Sequence, residues 1–310
     1  MALIPPFFLD CVVAIGILAN DEKQWVASGF LYADFVRKID EQNNEWRIYL
    51  VTNRHVFEGQ PLVQVRFNPQ EAKPAQEYPV PLTNPDDSPA WVSHPDPEVD
   101  VAVVQINANL LDEHRIQFAA FRSDLHVADI AKANELGLTE GDGVFALGFP
   151  LGLVGGERNY VIVRAGVIAR IRDALSRSTK EFLADIPIFP GNSGGPVVTR
   201  PEMSSIQGTK SQRAAYLVGM VKAYVPYQEV AISQQTKRPR IVFEENSGLA
   251  AVIPVDFIKE TIEHHLINRC ISICTSRQRW QHTGCQEAER RRGQDRLTFG
   301  LRAESKTEPP

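Results

Sequence analysis

Short apolar runs, rich in β-branched and aromatic residues, recur from about residue 8 to residue 253, separated by clusters of glycine and proline. Runs of that length between turn formers predict strands, and their dense punctuation predicts antiparallel β structure over helix. Phe7-Phe8-Leu9-Asp10-Cys11-Val12-Val13-Ala14-Ile15-Gly16-Ile17-Leu18 reads as the first of them. Trp46-Arg47-Ile48-Tyr49-Leu50-Val51 is another, with partial alternation, and it delivers Thr52-Asn53-Arg54-His55-Val56 where strand gives way to turn. The loop His94-Pro95-Asp96-Pro97-Glu98 is too proline-rich for a helix. Asp100 then opens Val101-Ala102-Val103-Val104-Gln105-Ile106, which has the composition of a buried strand. Asp256–Leu266 has the pattern of a helix.

Composition narrows the class without choosing a function. The chain has 310 residues, 43% hydrophobic and 23% charged, enough for one large core or two small ones. A net charge of -5 gives no reason to expect nucleic acid as a partner. The apolar N-terminal run is interrupted by Asp10, too short to span a bilayer and preceded by no basic residue, so neither a membrane span nor a secretory leader is expected. Cys11 stands alone, while Cys270, Cys274 and Cys285 cluster far downstream, which forms no disulfide framework. Both features lead to an expectation of a cytoplasmic protein. With His282, the three downstream cysteines match no common zinc spacing, so no metal or cofactor is expected. Residues 267–310 are expected to be a charged, irregular tail.

The candidate chemistry lies in Gly191-Asn192-Ser193-Gly194-Gly195-Pro196. A serine between glycines can sit on a backbone that turns its N–H groups inward, but a hydroxyl needs a base and an orienting carboxylate before it can attack an amide. His55 and Asp100, each at a strand boundary, supply both. Single residues of these types are ordinarily turn or surface residues; the three in order with these surroundings are much more specific. His94, His114, His126, His264, His265 and His282 lack such settings and are read as structural or surface residues.

The order His55, Asp100, Ser193 and the strings TNRHV, DVAVV and GNSGGP resemble the trypsin-like serine peptidases, and among them the HtrA/Deg-type branch. Ala27-Ser28-Gly29-Phe30-Leu31, Ala146-Leu147-Gly148-Phe149-Pro150-Leu151-Gly152, Val163–Ile168 and Leu217–Val221 extend the resemblance over most of residues 8–265. It implies an all-β fold of two six-stranded antiparallel barrels, at about 8–115 and 140–253, and a C-terminal helix at about 256–266. That branch usually carries a peptide-binding PDZ module after the protease, but only a short, charged stretch follows the helix in this sequence, so no such module is expected. It implies a serine endopeptidase acting on protein or peptide substrates, with Ser193 as nucleophile, His55 as base, Asp100 as orienter, and the Gly191 and Ser193 N–H groups as oxyanion hole. Asn192, where secreted relatives carry an aspartate that captures a newly cut N-terminus, implies activity without activation cleavage. The primary pocket would be bordered by Ile186 and Ile188 on one side and by Val221, Lys222 and Ala223 on the other. With Asp185 too far up its strand to reach the pocket floor, a small or medium apolar residue is expected before the cut bond. The resemblance leaves the oligomeric state undetermined.

Two other classes stay open. An α/β-hydrolase esterase fits the Gly191–Gly195 string, with Asp256 and His264 or His265 downstream, although Ser193 leads into Pro196 and a strand rather than into a helix. A protease-like scaffold that binds without turnover is the other.

Overall fold

Pro6 pre-sets φ at the first helical position, after Pro5 with an extended ψ of 126°, and Pro6–Asp10 forms the short helix α1. The extended run expected from Phe7 therefore begins only at Val12, and Phe8 turns inward against Phe121, with ring centroids 4.7 Å apart. The computed structural model describes residues 3–19, 22–40, 44–202, 204 and 206–267. The charged tail and the Cys270, Cys274, His282, Cys285 group lie outside the described residues.

The first half of the chain forms β1 (Val12–Ala19), β2 (Glu22–Lys38), β3 (Asn44–Thr52), α2 (Arg54–Phe57), β4 (Leu62–Pro69), β5 (Gln76–Pro81), β6 (Val92–Ser93) and β7 (Ala102–Gln105). The short β8 (Ile116–Gln117) and β9 (Phe121–Arg122) follow. The sheet runs β5-β4-β1-β2-β3-β7-β6, with β8 on β4 and β9 parallel to β2. Val13, Ile15, Leu31, Leu50, Val63 and Val104 fill its core. The closed six-stranded barrel expected here is corrected: this sheet stays open between β5 and β6. Pro79 and Pro81 remove two donors from β5, and β6 is only two residues long, so a closing ladder has too few N–H groups to form.

The second half does close. β10 (Gly143–Gly148), β11 (Ile162–Arg170), β12 (Phe182–Asp185), β13 (Pro196–Thr199), β14 (Leu217–Ile232) and β15 (Pro239–Pro254) form a barrel in the order β10-β11-β12-β15-β14-β13. Val144, Ala146, Ile168, Phe182, Val197 and Val252 are buried inside it. A helix over 255–267 follows, burying Val255, Ile258, Thr261 and Ile262. β14 and β15 run on past the barrel as an exposed two-stranded arm.

Candidate active site

The β3–β7 register determines where His55 meets its carboxylate. Thr52 lies opposite Ala102 in this antiparallel pair, so the chain just beyond Thr52 comes abreast of Asp100. Thr52 and Asn53 are fully buried, and Val56 and Phe57 anchor the helical turn that carries His55. Asn53 Nδ2 donates to the Asp100 carbonyl at 2.9 Å, fixing the backbone there. Asp100 then holds His55 twice: Oδ1 accepts the His55 backbone N–H at 3.1 Å and Oδ2 meets Nδ1 at 2.7 Å. Burial pushes the Asp100 carboxyl up, but the hydrogen bonds and charge of His55, with the Lys222 cation nearby, outweigh it and hold the group below the usual carboxylate range. An ionised Asp100 can only accept a hydrogen bond, so it favours the tautomer with the proton on Nδ1 and leaves the Nε2 lone pair free.

The serine loop is fastened to the same strand ends. Ser193 gives its carbonyl to the Ser28 N–H at 2.9 Å, and Gly194 and Gly195 exchange hydrogen bonds with Val221, each 2.9 Å. Gly194 has φ +81°, and a Cβ there would stand 2.2 Å from both the Ser28 carbonyl and Thr52 Oγ1. Only glycine permits that approach, which brings the Ser193 loop against Thr52, three residues before His55. Among the described residues no hydrogen bond joins Ser193 Oγ to His55, so the pair His55–Asp100 is assembled while the serine stands unengaged.

The turn preceding Ser193 is braced from three directions. Asn192 closes it internally, its N–H bonding to the Phe189 carbonyl and its Oδ1 accepting from the Phe189 N–H, both at 3.0 Å. The Pro190 carbonyl accepts from Leu151 N–H at 2.6 Å. Because this peptide is trans, the Gly191 N–H points the opposite way. Ser28 Oγ, fully buried, accepts from Phe149 N–H at 2.9 Å and donates to the Gly191 carbonyl at 2.7 Å. Among the described residues the N–H groups of Gly191 and Ser193 have no partner.

The expected pocket residues divide. Ile186, Ile188 and Val221 are at most 2% exposed and belong to the barrel core, so they are corrected from pocket lining to packing. Alternation along this segment turns Asp185, Pro187 and Phe189 outward instead. Lys222 and Ala223 keep access to solvent. Lys222 is ion-paired with Glu181, and both border a cavity of about 800 Å³ that also touches His55, Asp100, Arg170 and Leu183. Its walls carry both signs of charge, which an apolar specificity did not anticipate.

Sequence reasoning gave Ser28 no role. Its signal was available only as a small polar residue between Ala27 and Gly29 in a strand otherwise made for packing.

An open β-sheet, a closed six-stranded barrel and a C-terminal helix make up a mostly β fold. The trypsin-like peptidase domain family matches residues 27–202, and the chain belongs to that family of serine proteases. A probable periplasmic serine endoprotease, DegP-like, from Marinomonas sp. (strain MWYL1) is 28% identical over 150 residues, 48% of this chain and 24% of that protein. The aligned part thus spans about a quarter of that relative, whose name places it in the periplasm, unlike the cytoplasmic location expected from the sequence. Among solved structures, the MamO protease domain from Magnetospirillum magneticum is 16% identical over 83% of this chain and 97% of that one, with a TM-score of 0.41. The HtrA-type protease AlgW, solved with a decapeptide, is 18% identical over 83% and 65%, with a TM-score of 0.38.

Proposed function

We propose that this protein is a serine endopeptidase that cleaves protein substrates through Ser193, His55 and Asp100. The observation that carries the reading is the double hold of Asp100 on His55, which dedicates Nδ1 to the carboxylate and leaves Nε2 to take a proton. In the reaction, the Ser193 hydroxyl loses its proton to Nε2 as its oxygen bonds to the substrate carbonyl carbon. The carbonyl electron pair moves onto oxygen, where the Gly191 and Ser193 N–H groups receive it. The imidazolium then gives its proton to the departing amine, leaving an acyl-enzyme that water hydrolyses by the same route. The unspent N–H groups beside Ser193 support this reading over a scaffold. The mixed-charge cavity beside His55 supports substrates whose residues before the cut bond are charged as well as apolar.

The test is labelling of the intact chain with a fluorophosphonate probe, followed by digestion of casein. Covalent labelling at Ser193 that is lost in Ser193→Ala and His55→Ala, together with casein cleavage, is expected. Mass-verified full-length protein that neither labels nor cleaves would overturn the reading in favour of the scaffold. Labelling with ester but no casein hydrolysis would favour an esterase.

A further inference from the structure

Beyond the barrel, every residue from 226 to 247 except Ser233 is exposed. Tyr227, Val230, Ile232, Ile241, Val242 and Phe243 are each about half exposed, between 49% and 59%. The register pairs Val230 with Val242 and Glu229 with Phe243, so large apolar side chains crowd both faces of the ribbon. Among the described residues neither strand has a second neighbour here. β15 meets β12 only over Leu249–Val252, and β14 meets β13 only up to Met220. A lone two-stranded ribbon is marginal in water, and bare edges with apolar faces are what natural sheets cover.

The sequence along the free edge of β15 identifies the cover. Arg240, Val242 and Glu244 follow one another at strand period, a cation and an anion placed symmetrically about a valine. An antiparallel copy of the same edge, centred on Val242, sets Arg240 opposite the other copy's Glu244, Ile241 opposite Phe243, and Val242 opposite itself. Among the described residues Arg240 has no ion pair, and Glu244 is met within the arm only by the neutral Tyr224 hydroxyl and Gln228 amide. Pro239, which has no N–H, ends the stretch on one side, and Asn246, whose side chain bonds to the Ile188 carbonyl, ends it on the other. The free edge of β14 carries no such pattern: centred on Val230 it would put Glu229 opposite Ala231.

We infer that the β14–β15 arm is a dimerisation element, in which the β15 edge of one chain pairs antiparallel with the β15 edge of a second copy about Val242. The two ribbons become one four-stranded sheet with two Arg240–Glu244 pairs across the dyad. This surface is independent of the peptidase reading.

Sedimentation velocity of the full chain over a range of concentrations tests it, with circular dichroism to verify folding. The wild type is expected to show a concentration-dependent dimer. Arg240→Glu and Glu244→Arg each place like charges at both symmetric pairs and should raise the dimer dissociation constant at least about tenfold. The double variant Arg240→Glu/Glu244→Arg restores opposite charges and should dimerise again. Val242→Asp, at the dyad, should abolish the dimer. A wild type that stays monomeric at the highest attainable concentration would overturn the inference, as would a dimer indifferent to these substitutions or a double variant as weak as the singles. A monomer whose arm binds extended peptides would assign the edge to substrate instead.

Discussion

Ser28→Ala removes one oxygen atom from the centre of the structure and tests how the oxyanion turn is held. That oxygen accepts from Phe149 N–H and donates to the Gly191 carbonyl with no access to water. Its loss strands a buried donor and a buried acceptor, and an unsatisfied buried group costs roughly 1–3 kcal/mol. A combined loss of about 3 kcal/mol corresponds to a fall of about 6–12 °C in Tm for a domain of this size. The second effect is on aim. Gly191 at φ +96° is held on one side by the Leu151 N–H on the Pro190 carbonyl and on the other by Ser28. With Ser28 gone, the glycine can swing and carry its N–H off the developing oxyanion. Complete loss of one such donor costs about 10²–10³ in kcat. Because the Leu151 and Asn192 braces remain, the expected fall is about tenfold or more within that ceiling, with KM nearly unchanged. Thermal melts and the rate of fluorophosphonate labelling, measured well below the variant's Tm, separate the two effects. A lowered Tm with an unchanged labelling rate would refute the aiming role, and an unchanged Tm would refute the buried hydrogen bonds themselves.

Asp100→Asn keeps the shape but lets the amide donate to Nδ1, which stabilises the tautomer with its proton on Nε2. Casein hydrolysis is expected to fall by about 10⁴, and a loss of under tenfold would show that Asp100 does not set the tautomer. Glu140 accepts from the N–H groups of Ile171 and Arg172, at 3.1 and 3.3 Å, and the Ile171 bond, followed by Glu140's own backbone N–H, leads the effects that bring its pKa from 4.5 down to about 2. A depressed folded-state pKa means its stabilisation is complete above about 4.5 and is lost as pH falls towards 2. Glu140→Gln should therefore flatten the decline in stability across that window, as measured by urea unfolding at a series of pH values; an unchanged slope would remove Glu140 from the acid response.

The strings around His55, Asp100 and Ser193 were legible because each is local: a strand rich in β-branched residues, a turn, and a serine among glycines. The same is true of the antiparallel β character and of the helix over 255–267, which follow from periodicity and turn residues. Family membership, too, rests on those strings. What remained illegible depends on which segments meet. Period-two patterning says that Ile186 and Ile188 share a face, but only barrel closure decides that this face is the core rather than the pocket. The open first sheet depends on a closing ladder that the prolines of β5 and the brevity of β6 cannot sustain. Ser28 lies 163 positions from Gly191, too far for any local pattern to announce that one hydroxyl would tie them together. The sequence by itself determined the chemical groups and the strands that carry them. Tertiary structure decided which carboxylate oxygen holds which nitrogen, which N–H groups are left unspent and which apolar residues reach solvent, because hydrogen-bond satisfaction and burial are settled only when distant segments compete for the same space.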